Sequence, residues 1–166
     1  FIYAQIGNLE KSINYIEKAI QLDPTQAVYH SNLSNAYKAL GNINQAFQHL
    51  HEALRLAPNY AEAHNNLGSL YYTQGRIQDA STHFQKAIRL NPNSWEAHYN
   101  LANCLIKTNC VEQAIDHYQT VIKLKPDHSH AKQNLAMAYC SEKKYTEALP
   151  LLEETATQNN NHAEIQ

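Results

Sequence analysis

Apolar side chains recur at steps of three and four along most of the chain. In residues 27–60 the first such stripe is Leu33, Ala36, Tyr37 and Leu40, and the second is Ile43, Ala46, Leu50, Ala53 and Leu54. A period near 3.6 predicts two amphipathic helices, each with one buried face. Gly41 stands between them, and glycine suits the left-handed residue that ends a helix. Gly7 and Gly75 hold the same register position, followed by Asn109, which tolerates that conformation, and Lys143, which tolerates it less well. Pro58 then stops the second helix, because the residue before a proline is pushed out of the helical region.

This two-helix pattern repeats with a step of 34 residues. Asn-Leu occurs at Asn32-Leu33, Asn66-Leu67, Asn100-Leu101 and Asn134-Leu135. Pro24, Pro58, Pro92 and Pro126 keep the same step, as do Ala46, Ala80, Ala114 and Ala148. A further small position runs Ala19, Ala53, Ala87 and then Val121. Small residues in register mark places where two helices cross closely. Thr25, Asn59, Asn93 and Asp127 follow the prolines and are expected to cap the next helix, with Glu62 and Glu96 completing a capping box. The units read as a partial one over 1–26 (the end of a first helix plus a second helix), full ones over 27–60, 61–94 and 95–128, a degenerate one over 129–162, and the start of another at 163–166. In the degenerate unit Thr155 replaces the small apolar residue, Asn160 replaces proline, and Pro150 falls early in the second helix. The chain begins with Phe1 and inside a helix, so it reads as an excerpt of a longer protein.

These columns resemble the tetratricopeptide repeat. Residues 61–94 supply Leu67-Gly68, Tyr71, Gly75, Ala80, Phe84, Ala87 and Pro92. Residues 95–128 supply Leu101-Ala102, Ala114, Tyr118 and Pro126, with Leu105 where tyrosine is expected and Val121 at the second small position. His30, His64 and His98 stand where the family has tryptophan. The resemblance implies an all-α, right-handed superhelical solenoid of stacked antiparallel helix pairs, in which each unit contacts only its neighbours. It also implies that the first helices line a concave groove.

On that resemblance the groove would be lined by Asn32, Asn35 and Lys38, by Asn66, Ser69 and Tyr72, by Asn100, Asn103, Ile106 and Lys107, and by Asn134, Met137 and Cys140, with Ser31, Asn65, Tyr99 and Gln133 flanking them. Asn32, Asn66, Asn100 and Asn134 form a ladder similar to that in the repeat domain of O-linked N-acetylglucosamine transferase. A carboxamide carries an acceptor and two donors, so it can pair with both the N–H and the C=O of a peptide backbone whatever its sequence. The same asparagines could instead bond within a repeated scaffold. The chaperone-type clamp for a C-terminal carboxylate fits poorly, since Ser31, Glu96 and Asn100 stand where it needs cations.

Composition narrows the functions. A net charge of −2 with dispersed lysines and arginines does not suggest a nucleic-acid or membrane-surface partner. No stretch approaches the roughly 20 apolar residues that span a bilayer. Cys104, Cys110 and Cys140 lack metal-type spacing and read as thiols of a reducing, cytoplasmic compartment. The sequon Asn32-Leu33-Ser34 falls inside a helix. The ten histidines include two columns at the unit step, His30, His64, His98 and His49, His83, His117, read as surface or packing residues because repeats copy their ancestor. No phosphate loop, zinc-protease motif or nucleophile elbow occurs, so no catalysis, cofactor or metal is expected. The sequence points to a scaffold for a protein or extended peptide. The alternative is the substrate-recognition arm of a larger glycosyltransferase or methyltransferase, and exposed end units could also let copies associate.

Overall fold

The computed structural model describes the backbone of residues 2–163 and the side chains of residues 8–156; the expected start of a further unit at 164–166 lies outside them. The described residues form nine helices and no strand. These are α1 (Ile2–Leu22), α2 (Ala27–Ala39), α3 (Ile43–Leu56), α4 (Ala61–Thr73), α5 (Ile77–Leu90), α6 (Trp95–Lys107), α7 (Val111–Leu124), α8 (Ser129–Ser141) and α9 (Tyr145–Ala163). The chain divides into two compact units, Phe1–Pro92 and Asn93–Gln166.

In the first unit α2 pairs with α3 and α4 with α5, α1 packs on α2, and α4 receives both α2 and α3. Its core contains Ile13, Leu33, Tyr37, Leu50, Leu67 and Leu70, with Ala46 and Ala53 fully buried. In the second unit α6 pairs with α7, α8 pairs with α9, and α7 packs on α8. Leu101, Cys104, Ile115, Tyr118, Val121 and Leu135 fill its interior. Ala80 and Ala114 are fully buried, as expected where two helices cross too closely for a larger side chain.

Each hairpin turns through one left-handed residue: Gly41 (φ 79°), Gly75 (φ 73°), Asn109 (φ 60°) and Lys143 (φ 59°). The hydrogen bonds repeat as well. Asn42 N donates to Tyr37 O at 2.8 Å and Gly41 N to Lys38 O at 3.0 Å, and the matching pairs recur at Arg76–Tyr71, Cys110–Leu105 and Lys144–Tyr139. These bonds satisfy carbonyls that a helix end leaves bare.

Three expectations need correction. The first concerns Gly7, where α1 runs unbroken from Ile2 to Leu22 instead of turning. Continuing the helix keeps its backbone hydrogen bonds at a cost of only about 1 kcal/mol for one interior glycine.

The second concerns the caps, which fall one residue later than expected, at Gln26, Tyr60, Ser94 and His128. Proline and its successor occupy the middle of a turn, closed at two sites by Tyr60 N to Ala57 O (3.1 Å) and His128 N to Lys125 O (3.2 Å). Ser94 Oγ accepts from Ala97 N and His128 Nδ1 from Ala131 N, whereas Gln26 and Tyr60 form no side-chain cap.

The third concerns the capping boxes. Glu62 accepts the Tyr60 hydroxyl at 3.0 Å and Glu96 the Ser94 hydroxyl at 3.3 Å, so neither carboxylate forms one.

The degenerate last hairpin keeps its helices. With no proline near residue 160, α9 extends to Ala163, and it also carries Pro150 inside. Thr155 is buried, and its hydroxyl donates to Leu151 O (2.9 Å) and Leu152 O (3.1 Å), which lets a polar side chain fill an apolar slot.

Candidate functional site

The first helix of each hairpin carries the residues singled out above. In the first unit Asn66 on α4 reaches back to α2 and donates from Nδ2 to Ser31 Oγ at 3.1 Å. Ser31 is fully buried, so it is part of the packing and cannot serve as a charged clamp position. Lys38 on α2 reaches forward and donates from Nζ to Ser69 Oγ at 2.6 Å. Burial lowers the Lys38 ammonium's pKa. Asn32 and Asn35 are exposed on α2, while Asn65 and Tyr72 are half-buried on α4. Asn32 also borders a recess of about 520 Å³ formed with Lys11, Tyr15 and Ile16 of α1 and Tyr29 of α2.

The second unit repeats the backward reach with more partners. Asn134 on α8 directs Nδ2 at Asn103 Oδ1 (3.2 Å), Tyr99 OH (3.3 Å) and Tyr118 OH (3.4 Å). Tyr118, buried on α7, donates its hydroxyl to Asn103 Oδ1 at 2.6 Å. Asn103 therefore ties α6, α7 and α8 together. Asn100 is half-buried and Lys107 exposed on α6, beside the exposed apolar Ile106; Met137 on α8 is 63% exposed.

The asparagines at positions 66 and 134 thus take on the structural role weighed as the alternative. Each bonds the residue 35 places earlier, one hairpin back. The backbone-pairing role still has atoms to work with. Asn66 uses one of its two N–H groups on Ser31 and leaves its second N–H and its Oδ1 to other partners. Asn134 spends its amide hydrogens on the network and keeps Oδ1 as an acceptor.

The sequence placed Ser31 beside the groove without showing that it is Asn66's partner, and it did not single out Tyr118 for the wall, because its aromatic column reads as core. It also missed how the two histidine columns meet. His30 and His49 approach through their Nδ1 atoms at 3.2 Å, His64 and His83 at 3.1 Å, and His98 and His117 at 2.8 Å. The signal was present as a constant 19-residue offset that joins a first helix to its second.

Sequence models described as tetratricopeptide repeat match residues 24–93, 69–127, 111–166 and 1–26, so one repeat type accounts for the chain from end to end. The chain belongs to the tetratricopeptide-repeat family. No curated protein matches the sequence. Among solved structures, the repeat array is similar to MamA, at 26% identity and a TM-score of 0.80, covering 95% of this chain and 92% of that one. It shares the fold of PilF from Pseudomonas aeruginosa (23% identity, TM-score 0.84, covering 93% and 71%). It also shares the fold of YrrB, described as a tetratricopeptide-repeat protein with an unusual peptide-binding site (22% identity, TM-score 0.73, covering 98% and 84%). Among the described residues of this tetratricopeptide-repeat chain, no helix is long and apolar enough to cross a membrane.

Proposed function

We propose that this chain is an interaction scaffold that holds extended polypeptide against the first helices of the hairpins within each unit. The unspent carboxamide atoms of Asn66 and Asn134 carry this reading. Each side chain is fixed in place by its bond to the preceding hairpin, so little side-chain entropy remains to be lost when its remaining donor or acceptor meets a peptide backbone. Exposed Asn32, Asn35 and Lys107 add further polar contacts, and exposed Ile106 and Met137 add apolar ones. Backbone pairing supplies about 0.5–1.5 kcal/mol per hydrogen bond, so several must act together. YrrB, a neighbour of the same fold, is described as having a peptide-binding site, which supports the same reading.

The scaffold reading is preferred over an arm of a larger enzyme. MamA and YrrB are matched over 92% and 84% of their own chains by an array like this one. The cytoplasm is the compartment that this reading assumes. A second reading, association of copies, is favoured by Tyr145, Leu149 and Leu152, which are 62%, 57% and 41% exposed on α9; sedimentation over a dilution series tests it.

A photo-crosslinking residue tests the scaffold proposal. Placed at Asn35 or Met137 in the full-length protein, it should trap a defined polypeptide segment in cells, and at exposed Gln85 on α5 it should not. Equal trapping from both faces would contradict the proposal.

A further inference from the structure

The three histidine pairs are geometrically alike and lie within single hairpins, α2–α3, α4–α5 and α6–α7. Their ring centroids are 5.4, 5.4 and 5.1 Å apart. Two pairs carry a third ring: Tyr37 stacks on His49 at 5.5 Å and Tyr71 on His83 at 5.4 Å. We infer that each of these three hairpins is latched by an imidazole pair that accommodates one added proton and is opened by a second, which makes the array a proton-sensitive scaffold. The inference does not rest on the peptide-binding reading.

The His64–His83 pair fixes the chemistry. His64 Nε2 lies 3.1 Å from Pro58 O, and a carbonyl can only accept, so His64 carries its proton on Nε2. Its Nδ1 is then a lone pair, and His83 must donate to it from Nδ1–H. The one vacant basic nitrogen of the neutral pair is His83 Nε2. A first proton lands there, and the imidazolium keeps donating to His64 as a stronger, charge-assisted bond. A second proton has only His64 Nδ1 left. It would set N–H against N–H and one positive charge against another about 3 Å away. The pair must then separate, and the hairpin loses its contact. Such sites titrate as coupled pairs in two macroscopic steps.

The surroundings order the pairs. His30 and His49 face the carboxylates of Glu52 on α3 and, at His49, Glu17 on α1, with Arg55 of α3 opposing. His64 faces the cations Lys86 and Arg89 of α5, and His83 faces the His51 ring of α3 and the Asp79 carboxylate of α5. His117 faces His98 and, beside it, Asp116 of α7. Burial lowers the pKa of His30, His49, His64, His83 and His117. The unfolded chain, with histidines near 6.5, therefore binds more protons than the folded one below that pH. Stability from the pairs is whole above about pH 6.5 and is lost as pH falls through the folded values. The His30–His49 pair should take up protons before His64–His83.

The test is a histidine nitrogen NMR titration of the full chain from pH 8 to 4.5, alongside urea unfolding. At the basic end His64 should show protonated Nε2 and bare Nδ1, and His83 the reverse. As pH falls below about 6.5, the unfolding constant of the natural chain should rise more steeply than that of the variant with His49→Gln, His83→Gln and His117→Gln, which has lost one titrating ring from every pair. Glutamine can donate to the remaining Nδ1 and cannot be protonated. If the triple variant does not fold, His83→Gln alone should flatten the titration of His64. Rings titrating independently near 6.5, or equal pH slopes for the natural chain and its variants, would overturn the inference.

Discussion

Gly68 lies against the ring of Phe84: a Cβ on Gly68 would stand 2.7 Å from Phe84 Cε1 and 2.8 Å from Cδ1. Both residues are buried, Phe84 at 1% exposure, so the ring cannot swing aside freely. Gly68→Ala should overpack the α4–α5 crossing and cost about 1–3 kcal/mol. The double change Gly68→Ala with Phe84→Leu should recover part of that loss. Thermal unfolding of the single and double variants checks both, and an unchanged midpoint for Gly68→Ala would contradict this packing.

The four hairpin turns impose the same backbone on different residues. Gly75 has nothing within 4 Å of an added Cβ, so Gly75→Ala meets only the left-handed strain, about 1–2 kcal/mol. At Lys143 the opposite change applies. Lys143→Gly should raise stability by about 1 kcal/mol or less, since relief of strain is partly offset by the freedom glycine gains when unfolded. Urea midpoints should move in opposite directions for these two variants.

Asn134 and Asn66 should differ when truncated. Asn134→Ala strips three contacts from a half-buried network and should cost about 1–3 kcal/mol, whereas Asn66→Ala removes one bond to Ser31 and should cost about 1 kcal/mol. Equal unfolding free energies for the two variants would contradict the asymmetry drawn from the geometry.

Lys132 on α8 is 7% exposed at its side chain and meets Glu154 of α9 at 2.5 Å, while Glu154 is 47% exposed. Glu154→Gln leaves the buried ammonium without its counter-charge, but water reaches the site, so the expected loss is about 1 kcal/mol. Lys132→Met removes the buried charge itself and should be neutral or stabilising. Chemical unfolding should show a loss for Glu154→Gln and none for Lys132→Met if the ammonium's burial, and not the pair's attraction, dominates.

Much of the fold was legible because some positions restrict residue type severely. A left-handed turn admits glycine or asparagine readily, so Gly41, Gly75 and Asn109 announced themselves, and even Lys143 was found from its register. Close helix crossings admit alanine, and Ala46, Ala80 and Ala114 announced those. Caps were misplaced by one residue because Pro-Thr, Pro-Asn and Pro-Asp each spend two residues in a turn before the helix begins. Gly7 misled because a glycine permits a turn without forcing one. At the candidate site the sequence supplied the residues and not their partners. Asn66–Ser31 and His64–His83 are contacts at offsets of 35 and 19, set by how helices stack, and no local pattern encodes them.

The central claim is that carboxamides on the first helices grip a peptide by its backbone. The most direct measurement is calorimetric binding of the segment recovered by photo-crosslinking, compared with the same segment N-methylated at alternate peptide bonds, to the natural chain and to the variant with Asn32→Ala, Asn66→Ala, Asn100→Ala and Asn134→Ala. Backbone recognition predicts that N-methylation weakens binding to the natural chain by about tenfold or more, the effect of losing one to three hydrogen bonds. It also predicts that the folded variant binds both segments equally weakly. Undiminished affinity of the variant for the unmodified segment, with its helix content intact, would contradict the account.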